Sequence, residues 1–203
     1  MNQRAKFVVV MGVSGSGKTE IARRCADATK SHWLDADDHH PTENVEQMRS
    51  GRPLNDDMRW PWLAAVGDAA RNKVAQVANG DTSDHKSQTI FIACSALKRR
   101  YRDALRRDLD PVTFVFLDGT RDVILSRLNR RVGHFMPSGL LDSQLADLEP
   151  PGPDENCVTV SIDAPIDTVV STAINSLLAR ETNSASFANE NTTGKPECQG
   201  EDI

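Results

Sequence analysis

The stretch Gly12-Val-Ser-Gly-Ser-Gly-Lys18-Thr19 has the spacing G-x-x-x-x-G-K-[ST], and its residue types suit one task, the holding of a chain of phosphates. Glycines let successive backbone N–H groups turn inward around an anion, and the start of the following helix adds its positive dipole end. Lys18 would reach the β- and γ-phosphates, and the Thr19 hydroxyl would bind magnesium. Gly12, Val13, Ser14, Gly15, Ser16, Gly17, Lys18 and Thr19 are therefore candidate ATP-binding residues, with Lys18 also a candidate catalytic group. A second chemical group is acidic, Asp35-Ala-Asp37-Asp38-His39-His40-Pro41. Acids alternating by one residue can divide the labour, one ordering magnesium-bound water and one accepting the proton of an attacking hydroxyl. The same acids could instead decorate a helix N-terminus, with Pro41 near its first turn. A third group is basic: Arg127, Arg130 and Arg131, then Val132-Gly-His134-Phe-Met-Pro137-Ser-Gly139. Arginines beside Gly and Pro hinges suit a mobile lid, about 127–140, that neutralises a transferring phosphoryl group and excludes water. On spacing alone a solvated arginine face is an equal alternative.

The elements that must hold these groups follow from apolar periodicity. Phe7-Val-Val-Val-Met11 is a continuous apolar run, as expected of a parallel strand buried on both faces, and Glu20 to Thr29 reads as the helix after the glycine-rich loop. His32–Leu34, Thr89–Cys94, Val112–Leu117 and Cys157–Ile162 read as four more strands. Helices are predicted over Thr42–Ser50 (apolar Val45, Met48), Pro61–Ala78, the segment after Lys98, Arg121–Arg131, Leu140–Leu148 and Pro165–Arg180. The Pro61–Ala78 helix carries Leu63, Val66, Ala70, Val74 and Val77 on one stripe, with Asn55 or Asp56 as its cap and the nearby tryptophans as core. Arg59 is expected to be more than a surface charge, whereas Arg99, Arg100, Arg102, Arg106 and Arg107 are expected to form a solvated face. Asp118 ends an apolar run but is assigned no magnesium, because such a pattern is common. Five strands alternating with helices imply right-handed crossovers and an α/β fold, a three-layer α/β/α sandwich with a five-stranded parallel sheet. Acids and Ser95 and Lys98 at the strand C-termini would then converge on one crevice.

At 203 residues the chain suits one domain, residues 1–180, and the polar stretch 181–203 has too little apolar content to offset its ordering entropy, so a disordered tail is expected. No apolar stretch approaches membrane-spanning length, and the first strand begins too early for a signal peptide, so a cytoplasmic protein with no membrane partner is expected. A formal charge of -5 disfavours nucleic acid as a partner. Cys25, Cys94, Cys157 and Cys198 lack metal or redox spacing, and the first three read as buried reduced thiols. No N-K-x-D motif is present, which disfavours a GTPase switch. These features describe a small ATP-dependent kinase with a P-loop.

At Leu54-Asn-Asp-Asp57, Cys94-Ser-Ala-Leu-Lys98, His134-Phe-Met-Pro137 and Leu141-Asp-Ser-Gln144 the chain resembles the gluconokinase family, from about Phe7 to Leu178. Pro61-Trp62-Leu63 and Leu148-Glu149-Pro150 add to the likeness. The resemblance implies transfer of the γ-phosphoryl of Mg-ATP to the C6 hydroxyl of D-gluconate, feeding the pentose phosphate pathway, on a fold related to shikimate and nucleoside monophosphate kinases, often homodimeric. It implies Arg127 and Arg131 as lid arginines and catalytic groups, Asp35 with Thr19 at the Mg2+ site, and Asp37 as the catalytic acid that orients or deprotonates the sugar hydroxyl. Arg49, Arg59, Ser95, Lys98, His134 and Gln144 are candidates to bind gluconate's carboxylate and hydroxyls. Two departures stand out. Ala36 replaces the family's usual Gly, so the backbone there must tolerate a Cβ, and Met58 replaces a frequent acid. A related kinase acting on shikimate, a nucleotide or another sugar acid is the alternative, and a nucleotide-binding regulatory module without turnover is another.

Overall fold

Five apolar runs, each followed by a segment of helical periodicity, fold in the computed structural model as alternating strands and helices; the structure describes residues 5–79, 87–129 and 138–190. The strands are β1 (Lys6–Met11), β2 (His32–Asp35), β3 (Thr89–Ala93), β4 (Val112–Asp118) and β5 (Cys157–Ser161). They form one sheet in the order β2-β3-β1-β4-β5, and every neighbouring pair is parallel. The helices are α1 (Lys18–Ala28), α2 (Thr42–Arg49), α3 (Asp56–Asn79), α4 (Arg99–Asp108), α5 (Arg121–Asn129), α6 (Ser138–Asp147) and α7 (Ile166–Glu190), with a 3₁₀ turn over Ala36–His39.

The period of two along β1 divides the interior. Phe7, Val9 and Met11 face one core, shared with Trp62, Leu63 and Val66 of α3 and Tyr101 and Leu105 of α4. Val8 and Val10 face the other, shared with Ile21 and Cys25 of α1, Ile124 and Leu128 of α5, Leu141 of α6, and Val169 and Val170 of α7. The expected three-layer α/β/α sandwich is thus present. With β1 in the middle, the chain winds to one side through β2 and β3 and to the other through β4 and β5, and the crevice for ligands lies over the C-terminal ends beside β1.

Some expectations are corrected. α3 starts at Asp56 rather than Pro61, because Asn55 Oδ1 accepts the Met58 N–H at 2.9 Å and starts the helix earlier. Pro61 lies inside the helix, where its missing N–H forfeits one hydrogen bond to the Asp57 carbonyl. Trp62 is buried as expected, but Trp60 is 38% exposed and meets Tyr101 edge-on. On α2 the buried residue is Asn44, which donates to the Met58 carbonyl at 2.9 Å, while Met48 is exposed. Arg102 does not belong to a solvated face: it is buried against Glu155, with which it makes two hydrogen bonds of 2.6 and 2.8 Å. The last helix does not end at Arg180 but runs to Glu190, into the stretch expected to be a disordered tail; Glu181 is paired there with Lys6 at 2.9 Å. Residues 191–203 of that expected tail lie outside the described residues. Cys25 and Cys94 are buried free thiols, and Cys157 is partly buried. No helix among the described residues is long and apolar enough to cross a membrane.

Candidate active site

β1 ends at Met11 and the chain turns back over the sheet through residues of positive φ, Gly12 (145°), Gly15 (86°) and Gly17 (96°). Two of these glycines are required by space as well as by torsion. A Cβ on Gly12 would stand 2.9 Å from Ser16 Oγ and 3.0 Å from the Leu117 carbonyl, and one on Gly15 would stand 2.7 Å from Leu128 Cγ of α5. The loop is therefore pressed onto the C-terminal edge of β4 and onto α5. It is tied to the end of β3 as well, since the Gly12 N–H points to the Ser95 carbonyl at 3.4 Å.

Lys18, in the first turn of α1, places Nζ 3.2 Å from the Val13 carbonyl, folding back over the loop. The Thr19 hydroxyl donates to Asp35 Oδ2 at 2.6 Å. Asp35 closes β2 and caps the 3₁₀ turn, its Oδ1 accepting the Asp37 N–H at 3.0 Å. Inside that turn Ala36 is fully buried, and its carbonyl accepts the Trp62 indole N–H at 2.7 Å. The Ala36 methyl fills core space on a backbone of negative φ, so the Cβ at this position is tolerated.

Asp37 stands on the outer side of the turn. Its carboxyl pKa is raised, first because the crevice walls limit its hydration, with Asp35 and Asp38 adding to the rise and Lys18 opposing it. Its side chain is nevertheless 75% accessible, so an incoming hydroxyl can reach it. Behind it His40 stacks on Trp62, with ring centroids 4.3 Å apart, and places Nε2 3.9 Å from Asp37 Oδ1. Burial, helped by the charge of Arg59, lowers the His40 pKa to about 4, so the imidazole is neutral near pH 7 and forms no ion pair with Asp37.

On the far side of the crevice the start of α3 and the end of β3 bring several charges together. Arg59 Nη1 donates to the Tyr101 hydroxyl at 2.9 Å and lies 3.6 Å from Asp147 Oδ2. Lys98 Nζ lies 3.1 Å from Asp147 Oδ1 and 3.6 Å from Asp56 Oδ1. The Tyr101 hydroxyl donates to Asp56, a bond that holds the Asp56 carboxyl below its usual range, with Lys98 and Arg100 assisting. The bond to Asp147 raises the Lys98 pKa. Both cations are largely shielded from solvent and face the same crevice.

The predicted residues are thus distributed as follows. Gly12 to Thr19, Asp35, Asp37 and Ser95 gather at the C-terminal ends of β1, β2 and β3, with Arg59 and Lys98 alongside. Arg127 reaches the same loop from α5, its Nη1 3.5 Å from the Ser16 carbonyl while Nη2 donates to the Ile162 carbonyl. Gln144, expected near the acceptor, is instead on the phosphate loop, where its Oε1 accepts the Ser14 N–H at 2.6 Å. It sits there because α6 crosses over the loop. Arg49 ends α2 with an exposed side chain. Arg131, His134 and most of the expected lid fall outside the described residues. Asp56, Tyr101, His40 and Asp147 are not assigned to the site by the sequence, although His40 lies in the acidic stretch Asp35–Pro41 and Asp56 in the segment Leu54-Asn-Asp-Asp57.

The fit of a polyphosphate and a divalent cation can be judged from these atoms. The Ser16 hydroxyl is buried in the loop with no hydrogen-bond partner among the described residues, and a bound phosphate chain would bring acceptors to this loop. The Thr19–Asp35 pair is a hard oxygen set of the kind that holds magnesium through one direct ligand and water. A separate cavity of about 420 Å³ opens at the opposite end of the sheet, lined by Phe7, Phe91, Ile174 and Leu177 among others, and lacks these groups.

No family model matches the chain. It is 42% identical over 181 residues to a gluconokinase of Gluconobacter oxydans (strain 621H), covering 89% of this chain and 96% of that one. It is 44% identical over 174 residues to the thermoresistant gluconokinase of Escherichia coli (strain K12), covering 85% and 94%. Among solved structures, a gluconokinase from Sinorhizobium meliloti 1021 superposes with a TM-score of 0.75 at 40% identity, covering 91% of this chain and 99% of that one. A shikimate kinase from Aquifex aeolicus shares the fold alone, with a TM-score of 0.51 at 16% identity, covering 88% and 98%.

Proposed function

The chain belongs to the gluconokinase family, and from that membership we propose that it transfers the γ-phosphoryl of ATP to the C6 hydroxyl of D-gluconate, giving 6-phospho-D-gluconate and ADP. The observation that carries the reading is the closeness of two unlike sites. Gln144 touches the phosphate loop and Asp147, three residues later on the same helix, touches Arg59 and Lys98. Their Cα atoms are separated by about 4.5 Å of helix rise, so a single turn of α6 borders both sites. An acceptor with a carboxylate at one end and a primary hydroxyl at the other suits this arrangement: Arg59 and Lys98 hold the carboxylate, and the hydroxyl is presented toward the phosphate loop.

Phosphoryl transfer through a loose transition state asks mainly for positioning and charge neutralisation. Backbone N–H groups of residues 12–19 and Lys18 hold the phosphates, and Arg127 and Arg131 neutralise charge on the moving group. The Thr19 hydroxyl, and Asp35 through water, would hold magnesium, which would supply positive charge to offset that of the phosphates. Asp37 orients the C6 hydroxyl and takes its proton, its accessible carboxylate being open to the incoming group. Ser95 and His134 donate to the sugar hydroxyls. The reaction is placed in the cytoplasm.

The test is ADP release from Mg-ATP by the purified chain, with D-gluconate compared against shikimate, glucose, AMP and related sugar acids at equal concentration. Strong stimulation by gluconate alone is expected. Equal or greater stimulation by another acceptor would refute the acceptor assignment while leaving the phosphate site standing.

A further inference from the structure

Helix α6 touches both substrate sites with groups that imitate substrate atoms. At its middle the Gln144 side-chain oxygen accepts the Ser14 N–H at 2.6 Å, which is the kind of bond a phosphate oxygen makes with this loop. At its last residue the Asp147 carboxylate lies against both Lys98, at 3.1 Å, and Arg59, at 3.6 Å, the two cations assigned above to the carboxylate of the acceptor. Residues three apart lie on one face of a helix, so the two groups move together.

The attachment of α6 permits such movement. Leu141 is its fully buried apolar anchor, Leu145 is only partly buried, and an exposed Arg121–Asp142 pair ties its outer side to α5. The fixed point lies just beyond its C-terminus. There the Glu149 N–H donates to the Leu97 carbonyl at 3.0 Å and the Glu149 carboxylate accepts the Arg99 N–H at 2.6 Å. With Leu141 held on one side of Gln144 and Glu149 on the other, a displacement at Gln144 turns the helix about the line between these two points and carries Asp147, on the same face, with it.

We propose that α6 is an internal competitor for both substrates, Gln144 standing in for a phosphate oxygen and Asp147 for the acceptor carboxylate, so that each substrate on binding clears the site of the other. The Asp147 half rests on the gluconate reading above; the Gln144 half rests on the phosphate loop alone. Because linkage is reciprocal, nucleotide and gluconate must tighten each other by the same factor. An amide hydrogen bond of this kind holds back its competitor roughly two- to tenfold, and a partly exposed ion pair about two- to fivefold.

Calorimetric titration of the full chain tests this, with gluconate alone, with a non-hydrolysable ATP analogue plus magnesium alone, and with each in the presence of the other. In the wild type each ligand should tighten the other. Asp147→Asn should bind gluconate alone about two- to fivefold more tightly, and Gln144→Ala should bind the analogue alone roughly two- to tenfold more tightly, with the mutual effect reduced in both. Wild-type protein in which neither ligand alters the other's affinity would overturn the proposal whatever the variants do. Weaker gluconate binding by Asp147→Asn would also overturn it, making Asp147 a direct ligand of the acceptor. If wild-type protein bound the analogue but no gluconate, the acceptor reading would fall, and the Gln144→Ala titration would still decide whether α6 competes at the loop.

Discussion

Replacement of Glu155 by Ala is expected to be among the most damaging single changes away from the crevice. Glu155 and Arg102 have side chains only 1% exposed, and they share two charged hydrogen bonds of 2.6 and 2.8 Å. The third arm of the guanidinium is committed elsewhere. Arg102 Nη1 donates to the carbonyls of Ala96, Leu97 and Glu149 at 3.3, 3.0 and 3.0 Å. Glu155→Ala leaves this cation buried without its counter-ion and deprives the Gly152 N–H of its acceptor, a loss of about 3–5 kcal/mol. For a chain of this size that corresponds to a fall in Tm of roughly 6–20 °C, read by calorimetry or by circular dichroism melts. The double variant Arg102→Met with Glu155→Leu removes both charges but still leaves three carbonyls without their donor, so it should recover only part of the loss. The Arg102 bond holds the Glu155 carboxyl below its usual range, so its folded pKa lies below its unfolded one. Its contribution is therefore full above the unfolded value, about 4.3, and is lost as pH falls through the folded value; the gap between wild type and variant should narrow below about pH 4. Ala96 has φ 42°, a left-handed backbone held two residues before Lys98, so loosening it should also raise the KM for gluconate more than that for ATP. A Glu155→Ala variant less than about 1 kcal/mol less stable than wild type would refute the reasoning.

Three further outcomes are expected. Lys18→Ala should abolish ADP release while leaving the thermal melt near that of the wild type, because Lys18 folds back over the loop, its Nζ 3.2 Å from the Val13 carbonyl, and is not one of the buried core residues; an active variant would refute its role. Asp37→Asn should lower kcat far more than gluconate affinity, since the change keeps size and removes a proton acceptor; a loss confined to affinity would make Asp37 a binding residue only. Burial pushes the Cys25 and Cys94 thiols up to about 12, so neither should react with a thiol reagent at pH 8 until the protein is unfolded, which a timed spectrophotometric titration with and without denaturant checks.

The parts of this molecule that could be read in the sequence are those governed by short-range rules. The phosphate loop is contiguous, and β1 and β3 announce themselves as apolar runs because both of their faces are covered. The acids of the 3₁₀ turn were found because β2 ends at them. Tertiary pairing was not legible. Nothing within Arg99-Arg-Tyr-Arg102 marks Arg102 as the buried arginine, since its partner lies 53 residues later. Asp147 and Tyr101 look like an ordinary surface acid and a core aromatic until Arg59 and Lys98 are folded beside them. For Gln144 the family likeness gives a place in the site but not the contact with the Ser14 N–H, which depends on where α6 packs. The start of α3 was misplaced because Pro61 reads as a first-turn residue, and the Asn55 cap outweighs that signal.

The position of β1 at the centre of the sheet has a consequence for how the chain is made. The phosphate loop precedes in the chain the segments that press on it and pair beside it. β1 pairs on one edge with a strand beginning at Thr89 and on the other with one beginning at Val112, and Gly15 rests on Leu128. At ordinary rates of translation the apolar run Phe7-Val-Val-Val-Met11 waits roughly 4–16 s with both edges bare, until β3 has been made. Such a segment is a template for pairing with other chains, and long-range parallel pairing is slow to rescue it. Gly12 is seated against the Leu117 carbonyl and Gly15 against Leu128, so the loop lacks these supports until β4 and α5 are in place; the hazard of synthesis and the candidate binding site are neighbouring stretches of chain.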